Sequence, residues 1–194
     1  MVPVSHPTAA HILATAPRVF ADRGFAGAST RSLAEACGVN IGTLAYHFGN
    51  KEGLYHAVID QVYTHILACL SVRPQGSSSA ELVRAMASEV YRRGLEHRDG
   101  IRLLLRHVMA EGTVPAHVQE KWSPHIMKAV AELLATLNLP EGPDHRLALL
   151  SINHLIARYV VSEPADILPF VDGDPVDAVA AHVGEVAVKL LGLD

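Results

Sequence analysis

Between Ser29 and Tyr55 the chain reads "STRSLAEACGVNIGTLAYHFGNKEGLY", and helix punctuation falls there so densely that only short helices fit. Ser29 or Thr30 caps a helix running to about Cys37, with Leu33, Ala34 and Ala36 on its apolar side. Gly38 ends it, Asn40 caps the next, Gly49 closes that one, and Asn50 opens a fourth. The third segment, Ile41 to Phe48, lacks the wide apolar stripe that a buried helix needs. Leu44 and Phe48, four residues apart, can pin it to a core and leave Thr43, Tyr46 and His47 facing outward. Such a helix is either a solvated connector or is held up to touch something polar outside the protein.

The flanks carry helical periodicity throughout. From about Thr8 to Arg23, Ile12, Ala16, Val19 and Phe20 share a face, Gly24 takes a left-handed C′ position, and Phe25 folds over the last turn. Pro17 inside this segment predicts a kink or a late helix start. The fourth helix repeats Leu54, Val58, Val62 and Ile66, and the proline, glycine and serine of residues 72–79 mark a loop between units. Ser78 and Glu81 form a capping box for a helix to about His97, followed by a segment from Ile101 to Ala110. Pro115 and Pro124 bracket a polar stretch containing Trp122, with a helix expected from Pro124 through Leu137. After another helix, Leu147 to Val161, the residues Val176, Val179, Val183, Val186, Leu190 and Leu193 alternate three and four apart. That a/d seam, flanked by Ala180, Gly184 and Ala187, predicts a homodimer interface at Val179, Val183, Val186 and Leu190, with Leu147–Val161 as companion.

Composition narrows the class. Of 194 residues, 49% are apolar and 19% charged, as in a globular chain with a sizeable core. With few strand-like alternations, an all-α fold is expected. No apolar run reaches the roughly 18 residues that span a bilayer, and the N-terminus lacks a basic segment followed by an apolar one. A cytoplasmic protein with no membrane partner is expected. Cys37 and Cys69 show no metal or redox spacing and read as small buried hydrophobes. The net charge is −4, and residues 1–70 sum to zero: Arg18, Arg23, Arg31 and Lys51 balance Asp22, Glu35, Glu52 and Asp60. Contact with nucleic acid must therefore come from a local face. Twelve histidines, among them His97, His107, His117 and His125, raise the alternative of a helical metal-dependent enzyme or metal sensor. They follow no structural-zinc spacing, and no phosphate loop or nucleophile elbow is present, so neither a cofactor nor an enzyme is expected.

Two short helices around "GVN", the second polar on its outer face, match a helix-turn-helix. At Thr30, Leu33, Ala34, Gly38, Val39, Asn40, Gly42, His47, Phe48, Lys51, Glu52 and Leu54 the stretch resembles the TetR family of bacterial transcriptional regulators. The resemblance covers about Ala10 to Val62; Cys37 replaces the usual alanine, and Ala45 stands at a common tyrosine position with Tyr46 beside it. It implies a helix-turn-helix DNA-binding domain over 1–53, joined by a long helix to a helical effector-binding and dimerisation domain over 54–194. It further implies a homodimeric repressor that leaves a palindromic double-stranded operator when a small-molecule effector binds. Arg31 suits guanine or phosphate, Thr43 a base edge or phosphate, and Tyr46, His47 and Lys51 phosphate oxygens. Ile41 can meet a thymine methyl. Met109, Trp122, Met127, Asn153, His154 and Tyr159 are candidate linings for a largely apolar effector.

Overall fold

A computed structural model describes residues 9–70 and 78–193. All its regular elements are helical: α1 (Ala9–Gly27), α2 (Thr30–Ala36), α3 (Ile41–Phe48), α4 (Lys51–Leu70) and α5 (Ser79–Glu96) come first. Then follow α6 (Arg98–Glu111), α7 (Ala116–Thr136), α8 (Pro143–Val161), α9 (Pro164–Ile167), a 3₁₀ turn at Leu168–Phe170, and α10 (Pro175–Leu190). The all-α expectation holds. No helix among the described residues is long and apolar enough to cross a membrane. Most of the loop expected at 72–79 lies outside the described residues.

Local signals place the boundaries. Ser29 and Ser32 cap one another's backbone at the start of α2, and Ser78 with Glu81 does the same for α5. The Asn50 side chain accepts from the Gly53 amide at 2.8 Å, fixing the start of α4. Gly24 has a φ of 70° and breaks α1 near its end, where Phe25 turns back to lie 5.0 Å from the Tyr55 ring. Pro17 falls inside α1 without non-helical dihedrals, so the expected kink lies at Gly24 instead. α7 likewise begins at Ala116 and runs through Pro124, eight residues before its expected start. Val118, fully buried, and Trp122, half-buried against the first core, anchor that extra length.

The buried side chains form two cores. The first gathers Ile12, Phe20, Leu33, Leu44, Leu54 and Ile59 from α1–α4, and takes in Leu103 of α6 and Val118 of α7. The second joins α5, α8, α10 and the end of α7 through Leu82, Met86, Tyr91, Leu133, Ile152, Val160 and Val183. Each such burial contributes about 1.5–3 kcal/mol. Tyr55, Val58, Ile59 and Tyr63 pack in the first core, so α4 belongs with α1–α3 well beyond residue 53.

The α10 seam divides. Val179 and Val183 are 3% and 0% exposed within their own chain, packed in the second core with residues of α5. Inside one chain they thus face α5 rather than the solvent. Val186 is half-buried and Leu190 is 46% exposed. A three-four alternation drifts around the helix, and here α5 takes one edge of the stripe.

Gly53 makes the tightest joint between α3 and α4, since a Cβ there would collide with the Phe48 carbonyl oxygen. Gly53→Ala is expected to destabilise the protein by about 1–3 kcal/mol, read from the urea midpoint. An unchanged midpoint would mean that α3 does not seat on α4 in this way.

Candidate nucleic-acid interface

The α2–α3 turn is tied on every side. Gly38 has a φ of 64°, the Val39 amide donates to the Ala34 carbonyl at 2.9 Å, and the Cys37 carbonyl lies 3.1 Å from the His11 ring Nε2 of α1. Cys37 is 1% exposed, and burial pushes its thiol pKa up, away from reactivity. Asn40 then opens α3: its Oδ1 accepts from the Thr43 amide at 2.7 Å and from the Thr43 hydroxyl at 3.2 Å. Leu44 is completely buried and is the one residue of α3 that anchors it fully.

Opposite Leu44 the helix is open. Tyr46 is 85% exposed, its ring edge-on to His47 at 5.1 Å. Asn40, Gly42, Thr43, Tyr46 and His47 surround one shallow depression of about 380 Å³. Three of the five expected contact residues are thus brought to one surface. The Thr43 hydroxyl donates to Asn40, so its oxygen is left to accept. Ile41 is half exposed at the start of the same helix.

The other two lie apart from the depression. Arg31 is exposed on α2 and enters no ion pair among the described residues. Lys51 reaches back to the end of α1, donating to the Phe25 carbonyl at 2.8 Å and sitting 4.3 Å from the Phe25 ring centroid. One of its three ammonium donors is committed there, and two remain. Sequence reading missed this bond, because it depends on the break at Gly24, which turns the end of α1 back toward α4.

The expected effector residues do not share a space. Met109 is 86% exposed on α6, Met127 is exposed on α7, and Asn153 and His154 are exposed on α8. Tyr159 packs edge-on to His182 of α10, and Trp122 donates its Nε1–H to Asp60 at 2.6 Å and stacks on Tyr63. None of the six lines the depression on α3 or a second, larger cleft: amphipathic helices turn only one stripe inward, and Met86 is the methionine on it. That cleft, of about 440 Å³, lies between Leu13 and Pro17 of α1, Val58 and Val62 of α4, and residues 95–100 at the α5–α6 junction. Its parts come from three distant segments; the one sequence signal is the polar run Glu96-His97-Arg98-Asp99.

The metal alternative finds no support in the side-chain geometry. Among the described residues no group of three or more His, Cys, Asp or Glu side chains is placed to hold an ion. His97 stacks on His65, His117 packs tilted against His56, and the His107 ring Nδ1 lies 3.1 Å from the Tyr55 hydroxyl.

Comparison with known proteins follows the same geometry. The family pattern described as bacterial regulatory proteins, tetR family, matches residues 12–58. The transcriptional repressor AcnR of Corynebacterium efficiens is 47% identical over 152 residues, 77% of this chain and 76% of AcnR. The chain belongs to the TetR family. The HTH-type transcriptional regulator UidR of Escherichia coli K12 is 33% identical over 110 residues, 56% of this chain. That match spans about half of UidR, 53% of its length. A tetR-family regulatory protein from Rhodococcus RHA1 shares the fold at a TM-score of 0.72 and 20% identity, covering 94% of this chain and 96% of its own. A TetR-type fold over both helical units accounts for the two cores.

Asn40 holds both the start of α3 and the Thr43 hydroxyl. Asn40→Ala is expected to cost about 0.5–2 kcal/mol of stability in thermal unfolding. A melting temperature equal to that of the parent protein would remove Asn40 as the organiser of this surface.

Proposed function

We propose that the protein is a homodimeric transcriptional repressor that binds a palindromic double-stranded operator and leaves it when a small molecule binds. The carrying observation is α3: one fully buried leucine holds it to the core, while Tyr46, His47 and Thr43 stand together on an open face. In this reading α3 lies in the major groove, with Thr43 and Ile41 at base edges and Tyr46 and His47 at phosphates. Arg31 reaches a base or phosphate from α2, and Lys51 spends its two free donors on a phosphate near the start of α4. A local polar face suits a headpiece whose charges cancel, because the wider field neither attracts nor repels DNA.

The dimer forms through α8 and α10. Leu147 and Leu150 of α8 and Leu190 of α10 are exposed apolar side chains, and the Tyr159–His182 contact sets the two helices side by side. Val186 joins them at the edge, and a twofold copy buries all four. The effector enters the cleft between α1, α4 and the α5–α6 junction, whose apolar walls end on a polar floor at Glu96, His97, Arg98 and Asp99. An amphipathic molecule fits this lining better than a wholly apolar one. Its arrival between α1 and α4 changes the spacing of the two copies of α3, and DNA and effector weaken each other by the same factor. A cytoplasmic location follows from this role.

Tyr46→Ala is expected to leave the melting temperature within the range of a surface change and to weaken binding to a duplex selected from a random pool. Lys51→Ala should weaken all duplexes alike and lower the salt slope by about one. Failure to enrich any sequence at low salt would overturn the reading. Leu190→Glu should sediment as a folded monomer, and a folded dimer would move the interface off α10.

A further inference from the structure

Two pairs of closely packed imidazoles, one stacked and one tilted, grip α4 from opposite sides. His56 and His65 lie nine residues apart, two and a half helical turns, and so point in opposite directions. The His56 ring lies against that of His117 of α7, tilted by 33° with ring centroids 3.7 Å apart. His65 stacks on His97, between α5 and α6, at 3.5 Å and 22°. In each pair one ring nitrogen is buried without a hydrogen-bond partner: His117 Nε2 in the first and His65 Nδ1 in the second. Two charged rings at this distance would set like charges face to face in a partly buried position.

We propose that these ring pairs form a proton-sensitive clamp: each holds while at most one of its two rings is charged, and protonation of the second to imidazolium parts the rings and frees α4. Charged and titratable neighbours set the balance. Asp60 of α4 favours the charged form of His117, whereas His56, Lys121 of α7 and His107 of α6 oppose it. Glu96 of α5 favours the charged forms of both His65 and His97, whereas His97 opposes that of His65. Arg98 and Asp99 line the adjoining cleft. Burial is the largest influence on His65, His97 and His117, and it lowers the pKa of all three.

The clamped form therefore binds fewer protons than a released one, in which imidazoles titrate near 6.5. Clamping is complete above about pH 6.5 and is lost as pH falls below it. Release unseats the helix that connects α3 to the rest of the chain, so acid acts on the same lever as an effector. That consequence rests on the proposed DNA-binding role; the clamp itself does not.

Trp122 is the sole tryptophan and is tied to α4 through Asp60 and Tyr63, so its emission maximum reports the α4–α7 seat. The wavelength is read rather than the intensity, because the His125 ring lies 6.1 Å away and quenches when charged. In the 194-residue protein the maximum is expected to move to the red between pH 7.5 and 5.5 while far-UV circular dichroism holds constant. His56→Phe with His65→Phe keeps a flat ring in each stack but leaves one titrating partner, and should abolish the shift. If that variant misfolds, His56→Gln serves in its place and should remove the shift at the α7 side. A wild-type maximum that stays fixed to pH 5.5, or a variant that shifts as the wild type does, overturns the clamp. In parallel, the preference for a selected duplex over a random one should fall at least tenfold at pH 5.5 in the wild type alone. A red shift accompanied by no DNA binding at either pH supports the clamp and overturns the DNA-binding reading. A preference unchanged by pH despite the red shift overturns the clamp's action on DNA.

Discussion

The seating of α4 governs the rest of the architecture. Leu54, Tyr55, Val58, Ile59 and Tyr63 are buried along its first two thirds, and they pack at once on α1, on α3 and on the helices that follow. Leu103 from α6 and Val118 from α7 complete the same core, so the small N-terminal unit is not closed by its own residues. A three-helix unit of some fifty residues buries too little surface to be secure alone, and the borrowed side chains relieve that shortage. The same loan couples the units: a displacement of α6 or α7 cannot leave α4, and hence α3, where it was.

A second tie strengthens the coupling. Arg106 of α6 donates to the Ala21 carbonyl of α1 at 3.2 Å, and its guanidinium lies against Gly24, where a Cβ would stand 3.2 Å from it. α1 therefore ends under the control of α6, and Lys51 takes hold of the next carbonyl-bearing turn at Phe25. These contacts join residues 85 and 26 positions apart, and both satisfy carbonyls left open where α1 ends.

Local rules made much of this legible from the residues. The caps at Ser29, Asn40, Asn50 and Ser78 each depend on one side chain and the few amides after it, so spacing alone reveals them. Tyr46 and His47 were placed outward by the same short-range logic. What stayed hidden depended on partners distant in the chain. Periodicity shows that Val179, Val183, Val186 and Leu190 share a stripe, but not that α5 covers half of it. Pro124 reads as a start signal unless Val118 and Trp122 are known to pack on α4. Met109 and Met127 looked like pocket linings because a methionine has no signature that separates a solvent face from a cavity.

The economy of α3 explains how such a face is possible. Eight residues are too few to form a stable helix in water, and the single fully buried leucine contributes only about 1.5–3 kcal/mol. The Asn40 cap adds about 1 kcal/mol, and the α3–α4 joint at Gly53 holds the other end. Apart from the Asn40 cap, which also holds the Thr43 hydroxyl, these anchors use backbone or inward-facing atoms and leave Tyr46 and His47 unengaged. Those side chains are free to be selected for what they touch rather than for what they stabilise. The orientation of that face then depends on how α2 and α4 hold α3 and, within α3 itself, on Leu44. Because α4 is also the helix gripped by α6, α7 and the imidazole stacks, whatever moves it re-aims a surface whose chemistry stays unchanged.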